Sequence, residues 1–87
     1  MAGPASWDAA TRTLSVAALP LHATRLVAWR KAVGGEAEPC GMSETTSVNA
    51  AETAPFVPGG HYKLWVTGHN SAGDGPPSNE IDWTAPV

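Results

Sequence analysis

The chain has few of the residues from which catalytic, metal-binding and nucleic-acid-binding sites are usually built. Its 87 residues include one cysteine, three histidines and five basic residues against eight acidic ones, which gives a net charge of −3. The single thiol, Cys40, excludes an intrachain disulfide. Scattered basic residues do not form the positive surface that phosphate backbones require, so we expect no nucleic-acid partner.

Long apolar runs are also missing. No segment approaches the roughly 20 apolar residues of a membrane-spanning helix, so we expect no membrane insertion. The N-terminal residues lack the basic start and apolar stretch of a signal peptide, and we expect none within this sequence. The length suits a single domain, which we predict to span residues 1–87.

The titratable residues do not assemble into a reaction centre. His61 and His69 are eight residues apart on one predicted strand, or about 26 Å, which is too far to share a metal ion. No cysteine and histidine spacing matches a zinc site. A nucleophile needs a base within hydrogen-bonding reach and a group that orients that base, and the sequence offers no such set. We therefore predict no catalytic residue, no metal site and no cofactor, and we expect that the chain is not an enzyme.

The second half of the chain has a clear strand pattern. Inward-facing and outward-facing residues alternate with a period of two, which indicates a strand with one buried and one exposed face. The inward set is Tyr62, Leu64 and Val66, and the outward set is Lys63, Trp65 and Thr67. A loop rich in glycine, proline, asparagine and serine follows and contains Asp74.

This segment resembles the second half of a fibronectin type III domain. The resemblance rests on the register Phe56-x-Pro58-Gly59-x-x-Tyr62-x-Leu64-x-Val66-x-Gly68-x-Asn70-x-x-Gly73-x-Gly75-x-x-Ser78, followed by Thr84-Ala85-Pro86. It implies an all-β fold, a seven-stranded antiparallel β-sandwich of the fibronectin type III or immunoglobulin-like kind. Tyr62 would then bury its ring at the corner between the sheets and bond its hydroxyl to the backbone just upstream, beside Phe56, Pro58 and Gly59.

The first half is assigned by extending this register backwards. Trp7 falls on the opening strand, and residues 13–19 alternate as a second strand. We expect a third strand over residues 25–32 and two shorter ones near residues 42–48 and 51–54. Ala18 falls where the family usually has a large tryptophan, and we expect Trp7 or Trp29 to fill that space. Trp83, on the closing strand, is predicted to be a core residue.

The third strand has two possible registers. In the first, Val27 and Trp29 face the core, and Arg25 lies at the sheet edge with its head in water. In the second, Leu26 and Ala28 face the core. A slip of one residue exchanges the two faces, so the choice decides every side chain on the strand.

Trp65 is the main candidate for ligand binding, because it stands on the outward face between Lys63 and Thr67. Its indole could cover the sheet, contact a neighbouring domain or stack on a sugar ring, and the sequence leaves all three roles open. Asp74 is the second candidate, since some family members present an acidic loop to integrins. The Arg-Gly-Asp tripeptide itself is absent.

The resemblance implies a non-catalytic module that serves as a structural spacer or protein-interaction domain. We expect a monomer within a larger, secreted or cell-surface protein, and the alanine-rich, lysine-poor composition favours a bacterial source. Its partners would be neighbouring domains or another protein. The alternative is an accessory carbohydrate-binding module of a polysaccharide-degrading enzyme, with a polysaccharide as its partner.

Overall fold

The chain folds into two antiparallel β-sheets packed face to face. The structure is a computed structural model that describes residues 4–20 and 22–87. The smaller sheet has the order β1-β2-β5 and contains β1 (Ser6–Asp8), β2 (Thr13–Ser15) and β5 (Ser47–Asn49). The larger sheet contains β3 (Arg25–Ala32), β4 (Glu38–Ser43), β6 (His61–Asn70), β7 (Gly73–Pro77) and β8 (Ile81–Thr84). Its order is β4-β3-β6-β7, and β8 pairs with β6 as well.

This architecture confirms the predicted all-β sandwich of the fibronectin type III or immunoglobulin-like kind. The predicted closing strand is β8, and an additional strand, β7, precedes it and pairs with a different part of β6. The glycine- and proline-rich stretch that we predicted to be a loop is therefore partly strand. None of the described residues forms a helix with the length and apolar character needed to cross a membrane.

The core lies between the sheets and is built from the inward faces of β2, β3, β5 and β6. Its buried members are Leu14, Val16, Leu26, Ala28, Cys40, Val48, Ala50, Tyr62, Leu64, Val66 and Ala85. Each large apolar side chain buried in this way contributes about 1.5 to 3 kcal/mol to folding. The period-two pattern of β6 thus translates directly into one buried and one outer face.

On β3 the structure adopts the second of the two predicted registers. Leu26 and Ala28 are fully buried in the core. Trp29 faces away from it, so our assignment of Trp29 as a core residue is wrong. Arg30 shares the inward face and is 8 % exposed, because its guanidinium finds acceptors on Glu38 and on two backbone carbonyls.

The expected space at Ala18 does not exist. β2 ends at Ser15, and Ala18 is exposed beyond it. Neither Trp7 nor Trp29 therefore fills a gap there. Trp7 packs instead against Phe56 and Trp83 at one end of the core.

A β-bulge shapes β4. The register with β3 shifts so that Ala28 pairs with Gly41 and Trp29 pairs with Pro39, which leaves Cys40 as the extra residue. The bulge lets Cys40 and Gly41, which are consecutive, both be buried. The predicted strand near residues 42–48 is instead the end of β4, a bend over residues 44–46 and the start of β5 in the other sheet. Residues 51–54 form turns and bends instead of the short strand that we predicted.

Candidate functional site

Tyr62 lies at the corner between the sheets and is 5 % exposed. Its hydroxyl oxygen accepts a hydrogen bond of 2.9 Å from the backbone N–H of Val57, and its ring meets Phe56 edge-on at 4.8 Å. Gly59 has a φ of 76°, which favours glycine, and its N–H donates to the Ala85 carbonyl at 2.9 Å. The corner thus ties the start of β6 to the residue after β8.

The Tyr62→Phe variant should lose about 1 kcal/mol of unfolding free energy, because the Val57 N–H loses its acceptor while the ring packing remains. Urea unfolding of both proteins measures this difference. An unchanged midpoint would show that the hydroxyl does not stabilise the corner.

Four aromatic rings close the same end of the sandwich. Phe56 lies at the centre, with Trp83 at 5.0 Å, Tyr62 at 4.8 Å and Trp7 at 6.2 Å between ring centroids, all edge-on. The Arg12 guanidinium lies 4.7 Å from the Trp83 ring centre. Trp7 and Trp83 are partly buried against the core, so both have a structural role here.

The outer face of the larger sheet is the surface that carries the odd-numbered residues of β3 and β6. Directly opposed residues form a series of pairs across these two central strands. From one end to the other, the pairs are Arg25 with His69, Val27 with Thr67, Trp29 with Trp65, and Lys31 with Lys63. The two indoles are therefore neighbours in the middle of this face, beside Val27 and Thr67, which are only 4% and 5% exposed.

The Trp29 and Trp65 rings are parallel within 1°, and their centroids are 6.5 Å apart. This distance is typical of an offset stack. Both residues are intermediate in exposure, so the indoles are partly accessible. The sequence pattern identified Trp65 but missed Trp29. Choosing the β3 register that buries Leu26 and Ala28 would have placed the two residues on one face.

A chain of hydrogen bonds fixes the Trp29 indole. Its Nε1–H donates to Thr67 Oγ1 at 2.9 Å, and that hydroxyl donates to Asp74 Oδ1 at 3.2 Å. His69 Nδ1 lies 3.0 Å from the same carboxylate oxygen. Asp74 lies on β7 rather than in a free loop, so the β6–β7 hairpin sets the orientation of the indole.

This chain corrects one of the predicted ligand contacts. Thr67 is on the outward face of β6, but it is only 5 % exposed and its hydroxyl is already occupied on both sides. It therefore positions Trp29 and does not itself present a surface to a ligand. Asp74 is likewise engaged by Thr67 and His69.

Lys63 is exposed on the far side of the indole pair. Its Nζ lies 3.6 Å from Glu80 and 3.9 Å from Asp82, both of which are exposed. Such surface ion pairs contribute little to stability. They place Lys63 toward the segment around β8, while Lys31 stands opposite it on β3.

Cys40 is fully buried, so the folded chain cannot form the intermolecular disulfide that an exposed thiol would allow. Burial raises the pKa of this thiol to about 11, and the Arg30 charge only partly offsets that effect. The raised pKa indicates an unreactive thiol at neutral pH.

We expect the Cys40 contribution to unfolding free energy to be complete below about pH 8.5, where the unfolded thiol is also neutral. It should be lost progressively as the pH rises toward about 11, because the unfolded chain then releases a proton that the folded chain retains. Urea unfolding across this range measures the slope. The Cys40→Ala variant is the control, and an equal slope in that variant would contradict the assignment.

Within residues 4–20 and 22–87, no three histidine, cysteine, aspartate or glutamate side chains converge as a metal site would require. His61 and His69 are at opposite ends of β6, and His22, in the loop before β3, lies near His69.

Comparison with known proteins supports the fold. No family model matches the chain, and no curated protein matches it. The chain is similar to part of a solved structure described as the twitchin kinase region from C. elegans (Fn31-NL-kin-CRD-Ig26), with a TM-score of 0.63 and 21% identity. The match covers 85% of this chain and 14% of that chain. The likeness shows an Fn3- or Ig-like sandwich fold.

Proposed function

We propose that this chain is a non-catalytic interaction module of a larger protein and that it binds its partner through the outer face of the larger sheet. The parallel Trp29 and Trp65 indoles carry this proposal. Tryptophan is enriched among the residues that dominate binding energy, and an adjacent pair at the centre of this face provides a large contact area. The hydrogen bond from Trp29 to Thr67 reduces the ordering cost of binding, because the indole is already oriented.

The indole N–H signals of Trp29 and Trp65 in proton–nitrogen NMR spectra provide a direct test. The module is compared alone and within a longer natural chain that includes its neighbouring domains. Both signals should shift if a neighbour covers the outer face, while those of Trp7 and Trp83 should stay in place. Shifts confined to Trp7 and Trp83 would instead place the contact at the end of the sandwich where these two residues pack against Phe56.

A polysaccharide is the second candidate partner. The observation that favours it is that two parallel, partly exposed indoles are adjacent on the sheet surface. Such a pair can act as a platform on which a sugar ring packs. Bacterial polysaccharide-degrading enzymes, which the family resemblance permits as parents, would present such a platform to an insoluble polymer.

We expect Trp65→Ala to weaken binding to a sugar polymer by about tenfold or more, because truncation of a tryptophan that dominates a binding surface costs about 2 kcal/mol or more. The affinity is measured by depletion of the module from solution by cellulose, chitin and xylan. The Trp29→Ala variant is measured in the same way. Val33→Ala is the matched control, since Val33 is 78% exposed but lies beyond the indole pair. Equal depletion by the parent and both tryptophan variants would exclude the platform.

A further inference from the structure

A depression opens at the end of the outer face, where the loop before β3 meets the β6–β7 hairpin. Its volume is about 590 Å³, and no carboxylate lines it. The polar part of the lining comes from His22, Thr24, Arg25, His69, Asn70 and Ser71. Arg25 and two imidazoles thus share this lining, and the Asp74 carboxylate contacts one of them, His69.

Backbone and side-chain hydrogen bonds hold the two walls together. Asn70 Nδ2 donates to the His22 carbonyl at 3.0 Å, and the Thr24 N–H and hydroxyl both donate to the His69 carbonyl, at 2.8 and 3.0 Å. The Ala72 N–H donates to Asn70 Oδ1 at 2.8 Å. The depression is therefore a shaped surface whose walls are fixed relative to each other before any ligand arrives.

Arg25 has strong donors without matching acceptors. Its Nε is buried and has no hydrogen-bond partner among residues 4–20 and 22–87. Its Nη1 contacts Met42 Sδ at 3.2 Å, and a thioether is a weak acceptor. A buried charged donor without an oxygen acceptor lowers the free energy of unfolding. The Arg25 guanidinium is therefore suited to donate hydrogen bonds to an anion.

Among residues 4–20 and 22–87, Arg25 takes part in none of the ion pairs, which involve Arg30, Lys63 and His69. Asp74 is occupied by Thr67 and by His69 Nδ1, which leaves His69 Nε2 uncommitted within the described contacts. Arg25 and His69 are directly opposed on β3 and β6. Lys31 is six residues further along β3, or about 20 Å away, so the positive charge at the depression is local.

We propose that this depression binds an oxyanion, a carboxylate or phosphate group, with Arg25 as the principal donor and His22, His69 and Ser71 around it. The planar guanidinium fork matches both groups and can bond two of their oxygens at once. Because Nε is buried, we expect the two terminal nitrogens, Nη1 and Nη2, to contact the anion. The site is independent of the indole pair and of the function proposed above.

Titration of the nitrogen-15-labelled domain with inorganic phosphate and, separately, with acetate tests this site at constant ionic strength. Saturable shifts should be confined to the amides around Thr24, Asn70 and Ser71. The tighter of the two anions identifies the group that the natural ligand carries. Arg25→Gln should weaken binding by about tenfold, as expected for loss of a charge-assisted bidentate contact.

Lys31→Gln is the matched control, because it removes one positive charge from the same strand but outside the depression. It should leave the affinity unchanged. Equal weakening in both variants, or shifts that rise linearly with either anion, would overturn the proposal in favour of general charge screening. If Arg25→Gln does not fold, His22→Asn serves instead, since asparagine tolerates the positive φ of 67° at that position. No weakening in that variant would then count against the site.

Discussion

Replacing Gly41 by alanine should lower the free energy of unfolding by about 3 kcal/mol or more, the largest effect that we expect from any single added methyl group. A Cβ at this position would overlap the backbone carbonyl oxygen of Asn49 and lie 3.2 Å from Val48 Cγ2. Neither atom is the free end of a flexible side chain. β4 and β5 would have to separate at the point where the two sheets meet.

Urea unfolding measures the effect, and Gly75→Ala is the matched control. The nearest atom to a Cβ at Gly75 is the Gly68 carbonyl oxygen at 3.6 Å, which is an ordinary contact. That variant should change the unfolding free energy by less than about 0.5 kcal/mol. A Gly41→Ala protein as stable as its control would show that β4 and β5 do not approach as closely as described.

Replacing Arg30 by methionine should cost about 2 to 3 kcal/mol, although methionine fills much of the same space. Arg30 Nη1 donates to the carbonyls of Ala54 and Pro55 at 3.1 and 3.3 Å. Its guanidinium also lies 5.0 Å from the Phe56 ring centre. The variant would leave two carbonyls without a donor and loosen the segment that leads into β6.

Glu38→Gln separates this effect from that of the ion pair. Arg30 Nε lies 3.0 Å from Glu38 Oε1, but the Glu38 side chain is 61% exposed, so the pair contributes little. We expect a change of less than about 0.5 kcal/mol for Glu38→Gln in urea unfolding. A loss as large as that of Arg30→Met would instead assign the stability to the salt bridge.

The strands that depend on local pattern could be predicted from the sequence. β6 follows from strict alternation, and the turn before it from Pro58 and Gly59, whose conformational preferences act over a few residues. The extent of β3 also follows, since residues 25–32 were predicted and Arg25–Ala32 is observed. These elements are specified by neighbours along the chain.

The register of β3 could not be predicted, because apolar residues occur on both of its faces. The register that turns Leu26 and Ala28 inward also turns Arg30 inward. Burial of an arginine costs free energy unless hydrogen-bond acceptors surround its guanidinium. Two of those acceptors are carbonyls 24 and 25 residues away. The Trp29 and Trp65 pair was missed for the same reason, since it exists only in this register.

The strand character of Asp74 was missed for a related reason. Residues 73–77 contain two glycines and two prolines and read locally as a loop. These residues form a strand because they pair with β6, where Asp74 lies opposite His69 and Pro77 lies opposite Thr67. The oxyanion depression had no sequence signal, because it is assembled from two loops that meet only in the folded chain.

Prolines occur on two outer strands of the larger sheet, with Pro39 on β4 and Pro76 and Pro77 on β7. Proline has no N–H to offer to an incoming strand, and the bulge at Cys40 further interrupts β4. Two copies of this module brought side by side along β4 or β7 therefore find no continuous row of donors along which their sheets could join. The sandwich can be crowded at high local concentration with little tendency toward amyloid-like growth from these strands.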